Sequence, residues 1–335
     1  MAIIGFGELL LRLNTPVLGE KLGFSKQLEV GFAGAESNVL AGLSLLGHAT
    51  RFVSALPQNA WGDGALANLR SFGVDTSYVQ RSEGRMGTYF IESGTSIRSP
   101  KVVYDRKQSV FSLSKQGAWA WEDILCKGDW LHVTGITPAL SQSCAREMVT
   151  AIKKTKALGA KVSFDLNYRR SLWKDGDDAK DLFDEILAHT DLLFGNVGGL
   201  RDVYGVEFET DDPTEQTIQG LQFVHRTFHI PTVAFTQRQQ FTANENNITA
   251  LCSVDGTIYE TSEYTVEVID RLGTGDAFVA GYIHGVLQQW TPQKTLGFAA
   301  ASCALKHTLK GDVQLATEND ILDIAAGKTQ GYIKR

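Results

Sequence analysis

The stretch DRLGTGDAFVAGY, residues 270 to 282, sets glycines and an acid at the start of a helix-like apolar pattern. Phe278, Val279, Tyr282 and Val286 recur at helical spacing, so Gly273, Thr274, Gly275 and Asp276 fall where a helix begins. The first N–H groups of a helix have no partner within it and carry its positive dipole end, so they attract anions. Glycine lets the backbone approach such an anion closely, as phosphate sites at helix starts require. An acid at this point can take the proton of an attacking hydroxyl, or it can merely cap the helix. One reading is phosphoryl-group chemistry and the other is local punctuation.

Either role needs a frame that holds the helix start against a cleft. Short apolar runs read as buried strands: AIIGFG at the start, RFVSAL (51–56), DWLHVTG (129–135), AKVSFDLN (160–167), DLLFGN (191–196) and PTVAFT (231–236). Helical patterns lie between them, with Val39, Leu40, Leu43 and Leu46 ahead of Gly47 and a second run from Ser143 to Leu158 ahead of Gly159. Repeated strand–helix–strand order predicts an α/β fold, a mainly parallel central sheet flanked by helices on both faces. Residues 15–31 and 86–106 break the rhythm, and GTYFIES and KVVYDR carry strand-like aromatic and β-branched residues. They predict a small β-sheet lid over the ends of the parallel strands, where open α/β folds bind ligands, with 1–14, 32–85 and 107–335 as the body. The alternative is a pair of edge hairpins.

Bulk composition narrows the function. A net charge of −6 argues against a nucleic-acid surface, and 43% hydrophobic residues suit a globular chain with a sizeable core. Cys126, Cys144, Cys252 and Cys303 are scattered without C-x-x-C pairing, so neither a zinc ribbon nor a disulfide framework is expected. The seven histidines show no metal spacing, and no metal-ligating set of side chains is assigned. No leader-like segment or membrane-length apolar run is seen, so a cytoplasmic protein without a membrane partner is expected.

GTGD followed by AF and preceded by Asp270 resembles the C-terminal motif D-T-x-G-A-G-D of the ribokinase/PfkB family of sugar kinases. GFAGAESNVLAGLSLLG (31–47) resembles the family's N-terminal glycine motif, with Gly34, Asn38 and Ala41 on its G-x-x-x-N-x-x-A skeleton. The resemblance covers essentially the whole chain and implies a ribokinase-like fold. It also implies that Asp276 is the catalytic base and that Gly273, Thr274, Gly275 and the Asp276 amide form an anion hole for the transferring phosphoryl group. ATP and Mg2+ are the implied cofactors, with the nucleotide near Asn167, Asn196 and Thr236 and over FTANENNITA (241–250), where Asn246 and Asn247 are weaker candidates. A monovalent cation at the loop around Asp270 and the turn after Lys306 stays open, and relatives that pair their lids imply a homodimer. The chain departs from the pattern at Asn196-Val197-Gly198-Gly199, where the family often has N-x-x-E near its magnesium. It also carries Thr274 for Ala and Arg271 for Thr.

Neutral-sugar kinases of the family commonly have an Asp where GELLLR has Arg12. A cation there suits an acidic substrate, unless Arg12 points to solvent. Tyr104 to Arg106 in the lid and Arg169 in DLNYR add guanidinium groups, which bind carboxylates in a fork. GELLLRL, GTYF, VVYDR, FDLNYR, DRLGTGD and KHTLKGD together resemble the 2-keto-3-deoxygluconate kinase branch, which implies phosphorylation of the 6-hydroxyl of a sugar acid. By that resemblance Gly34, Asn38, Tyr89, Tyr104, Arg106, Arg169 and Asp312 are substrate contacts, with Arg169 on the carboxylate. A fructokinase-like enzyme, a kinase for another keto-deoxy acid, or a catalytically weak sugar-acid sensor are the alternatives.

Overall fold

The computed structural model describes residues 1–173 and 176–329. Its main sheet has ten strands. In spatial order they run Thr257–Glu260, Glu245–Val254, Thr232–Gln240, Leu192–Gly195, Lys161–Asp165, Trp130–Thr134, Ile3–Phe6, Thr50–Pro57 and Asp75–Ser82, while Tyr264–Glu267 pairs with Glu245–Val254 off this path. From Thr232–Gln240 to Asp75–Ser82 every pairing is parallel, and the strands beyond Thr232–Gln240 are antiparallel. All six strands read from apolar runs are present, because a strand covered on both faces needs apolar residues at consecutive positions.

The burial pattern shows that requirement directly. Ile3, Phe52 and Leu192 pack into one core cluster, while their neighbours Ile4, Val53 and Leu193 pack into a second, as alternation across a strand demands. Helices Ala35–Leu45, Thr274–Leu287 and Pro292–His307 cover the first face, and Gln142–Ala157 covers the second. Each fully buried Phe or Leu contributes about 1.5–3 kcal/mol relative to an exposed one. Trp119 and Trp121 meet Phe6 edge-on at ring distances of 5.0 and 5.4 Å, so they are packing residues.

A separate four-stranded sheet runs Glu29–Ala33, Leu10–Asn14, Thr88–Glu92, Lys101–Asp105. It is the expected lid with a different boundary, since Leu10–Asn14, read from sequence as body, lies second in it. The two excursions do not pair with each other, and Leu10–Asn14 bridges them, antiparallel to Glu29–Ala33 and parallel to Thr88–Glu92. The apolar run hides this change of sheet, because both sheets demand the same residue types there.

No helix of the described residues is long and apolar enough to cross a membrane. The four cysteines are unpaired, and only Cys126 is exposed.

Candidate active site

A cleft of about 790 Å³ opens between the lid and the carboxyl ends of the parallel strands. Gly273, Thr274, Gly275 and Asp276 line it, at the start of helix Thr274–Leu287. Gly273 takes the left-handed conformation (φ 73°) that brings the chain into that helix, and a Cβ there would stand 1.8 Å from the Asp312 carbonyl oxygen. Glycine is therefore required twice at this position. Gly275 is exposed and lines the cleft, and a Cβ added there would meet nothing within 4 Å.

Asp276 is half-buried at the base of the cleft and accepts a hydrogen bond from Asn38 Nδ2 at 2.7 Å. Asn38 lies one turn into helix Ala35–Leu45 and also accepts from the Gly34 amide at 3.3 Å, so the two glycine motifs meet side by side. The surrounding protein pushes the Asp276 carboxyl up to about 7, and the charges of Asp165 and Glu36 add to this, against the Asn38 bond and Arg169. Such a carboxyl changes protonation near neutral pH, the range in which a proton acceptor is most effective.

The acceptor end of the cleft is built from the lid. Tyr89 and Tyr104 stack at 6.0 Å, opposite each other in register, and the Tyr89 hydroxyl donates to Asp312 Oδ2 at 3.0 Å. Arg106 lines the cleft, but its Nε and Nη2 bind Glu8 Oε2 at 2.9 and 2.5 Å. Arg169 is exposed at the rim and forms no ion pair among the described residues. A guanidinium left unpaired over a cleft is available to an anionic ligand.

Asn167, Asn196 and Thr236 line the other end. Asn167 holds a positive φ of 29°, a strained geometry for a residue with a side chain. Asn196 caps helix Val197–Tyr204 through Gly199 N at 3.0 Å. Arg238 and Arg271 also line this end. Burial, and behind it repulsion from Arg238, lowers the Arg271 pKa.

Arg12 does not line the cleft. It is buried, and its guanidinium is taken up by Asp270, at 2.5 Å, and by Asp312. Its charge is spent inside the protein, against the expectation that it meets an acidic substrate or solvent. Asn246 is fully buried outside the cleft, and Asn247 donates to Glu263 at 2.6 Å.

Sequence reasoning missed Glu8, Glu36 and Asp165, all on the cleft wall. Glu36 is buried, accepts from Thr134 and Thr137 hydroxyls at 2.8 Å each, and is pushed by burial up to about 7. Asp165 ends strand Lys161–Asp165 and is pushed by burial up to about 6. The placement of ligands at strand carboxyl ends would have found Asp165 in FDLN, and Glu36 is conspicuous as a lone acid in the apolar run from 31 to 47.

Comparison with known proteins agrees with this geometry. The chain is 31% identical over 331 residues to the 2-dehydro-3-deoxygalactonokinase of Haloferax volcanii, with 98% of each chain covered. It is 29% identical to the 2-dehydro-3-deoxygluconokinase of Bacillus subtilis, covering 88% of this chain and 85% of that one. The crystal structure of 2-dehydro-3-deoxygluconokinase from Thermotoga maritima superposes with a TM-score of 0.94 at 35% identity, over 98% of this chain and 100% of the other. Residues 3–318 match the pfkB family carbohydrate kinases, and with the two glycine motifs meeting at one carboxylate, the chain belongs to that family of sugar kinases.

Proposed function

We propose that the protein transfers the γ-phosphoryl group of ATP to the 6-hydroxyl of 2-keto-3-deoxygluconate, the same compound as 2-dehydro-3-deoxygluconate. The observation that carries this reading is the juxtaposition, in one cleft, of the Asp276 carboxyl, pushed up to about 7, beside the helix-start residues Gly273 and Gly275, and of Arg169, which has no ion-pair partner among the described residues. Asp276 accepts the hydroxyl proton, and the amides from 273 to 276 hold the charge that develops on the phosphoryl group. Asn38 orients the carboxylate. Tyr89 and Tyr104 flank the sugar chain, and Arg169 binds the carboxylate that distinguishes this substrate from fructose. Gly34 lets the Glu8 backbone pack against the start of helix Ala35–Leu45, because a Cβ there would meet the Glu8 carbonyl oxygen at 2.2 Å.

The triphosphate lies along Asn167, Asn196 and Thr236, where Arg238 and Arg271 supply positive charge. Magnesium fits this end if phosphates and water provide most of its ligands, as that ion prefers. Gly199 offers no carboxylate and Asp202 is paired with Arg170 at 2.5 Å, so Asp165 is the residue to hold it. When bound, the ion neutralises phosphate charge. At the loop for a monovalent cation, Arg12 and the buried Lys306, whose Nζ donates to Leu309 O at 2.9 Å, already place protein cations.

A coupled ADP-release assay on 2-keto-3-deoxygluconate, its galactonate epimer, fructose and ribose tests the reading. Preference for the keto-deoxy acids is expected, and turnover of fructose or ribose alone would sink the acid assignment. Arg169→Ala is expected to raise KM for the acid by roughly 10–100-fold, the worth of a charge-assisted pair, with ATP KM unchanged. An equal loss on both substrates would place Arg169 elsewhere.

The lid also supports a homodimer. Edge strand Lys101–Asp105 is exposed throughout, with Val103 on it 52% exposed, and Phe24 and Ile97 outside that strand are 84% and 99% exposed, apolar surface that invites a second copy. Light scattering is expected to give twice the chain mass, and Val103→Lys to shift it toward one chain. A wild-type monomer at micromolar concentration would overturn the dimer.

A further inference from the structure

We infer that Arg12 is a positioning residue that pins the lid to the loops shaping the proposed anion hole. The inference rests on the reading of residues 273–276 as that hole. Arg12 sits in lid strand Leu10–Asn14, in register with Gly31 on one side and Tyr89 on the other. Its side chain leaves the lid and bridges two carboxylates that lie 258 and 300 residues away in the chain.

Each carboxylate belongs to a loop touching Gly273. Asp270 Oδ1 accepts from Leu272 N at 3.1 Å, one residue before Gly273, and Asp270 Oδ2 accepts from Gly311 N at 3.0 Å. The Asp312 carbonyl oxygen packs against Gly273 so closely that no Cβ fits, while its side chain takes Arg12 and the Tyr89 hydroxyl. The chain of contacts therefore runs from the lid tyrosine beside the acceptor, through Asp312 and Arg12, to the residues preceding the hole. Arg12 and its partners are buried, with side chains 7–10% exposed, so water does not screen the set. Lys306 lies close enough to feel the Asp270 and Arg12 charges, so two cations balance two carboxylates.

A forked guanidinium can hold both loops at once, whereas an ammonium on a flexible stem meets them one at a time. Seating the lid strand and shaping the amides from 273 to 276 are thus one event. Loss of the fork misplaces the hole and at the same time frees the lid strand beside Tyr89.

Arg12→Lys tests this. With active sites titrated and folding checked by circular dichroism, kcat is expected to fall about 30-fold or more, with a smaller rise in KM for the acid as the lid loosens, the pattern of an interaction needed mainly in the transition state. Amide hydrogen exchange in the ligand-free protein is expected to rise at 271–276 and 311–312. A rise in acid KM at constant kcat would mean that Arg12 holds the substrate instead. Unchanged kcat and unchanged exchange would remove the pin altogether. Should Arg12→Lys not fold, Arg12→Gln combined with Asp270→Asn removes one charge of each sign and is read the same way. If the wild type phosphorylates none of the sugars, the exchange comparison still decides the pin, and the failure counts against the proposed reaction alone.

Discussion

Asp276→Asn is expected to leave a folded protein that binds ATP and turns over roughly 10²–10⁴-fold more slowly, the usual worth of a positioned base. The amide preserves size and can keep one hydrogen bond with Asn38, so the cleft should not collapse. It cannot take the hydroxyl proton. The wild-type pH profile supplies a second reading of the same group. A base titrating at about 7 makes log kcat/KM rise with unit slope up to that pH and flatten above it, and the variant should lack that limb. A limb centred below pH 5 would show that burial, with Asp165 and Glu36 behind it, does not hold the Asp276 carboxyl up as described. Stability should move the other way. A carboxyl whose folded pKa is raised gives stability present below its unfolded value near 3.8 and lost as pH rises through about 7. Asp276→Asn removes that loss, so its thermal midpoint at pH 8 should exceed the wild type's. A variant both slower and less stable at pH 8 would point to a structural role instead.

Gly273→Ala is the second change with a large expected effect. A left-handed φ costs a residue with a side chain about 1–2 kcal/mol, and here the new methyl also meets the Asp312 carbonyl oxygen. Neither atom is the tip of a flexible side chain, so the backbone must move. Movement withdraws the amides from the reacting group, and kcat is expected to fall by about 10²–10³, the cost of losing one preorganised donor. Gly297→Ala, outside the cleft, is the control, because its Cβ meets nothing within 4 Å. If both variants lose activity equally, the close approach at Gly273 is not what matters.

Much of this arrangement was legible in the residues. Consecutive apolar positions such as Ile3-Ile4 and Leu192-Leu193 require a strand covered on both faces, and that requirement is local. Gly273 to Asp276 was likewise readable, since the amides at a helix start are backbone groups whose position follows from where the helix begins. Fourteen of the expected site residues, from Gly34 to Asp312, line one cleft, as motifs at the ends of parallel strands and in the lid should. Arg106 was found as a cleft residue, yet its engagement by Glu8 was not, because nothing in GELLLR says which acid points where.

By itself the sequence determined the alternation of strands and helices, the two glycine turns and the identity of the carboxylate between them. Each depends on neighbours a few residues apart. Tertiary structure alone decided that Leu10–Asn14 leaves the main sheet for the lid, that Asp276 titrates near neutrality, and that Arg12 is spent on Asp270 and Asp312 rather than on a ligand. Charge and pKa are set by whatever packs within a few ångströms, and here those partners come from segments hundreds of residues apart, which no local pattern of residue types encodes.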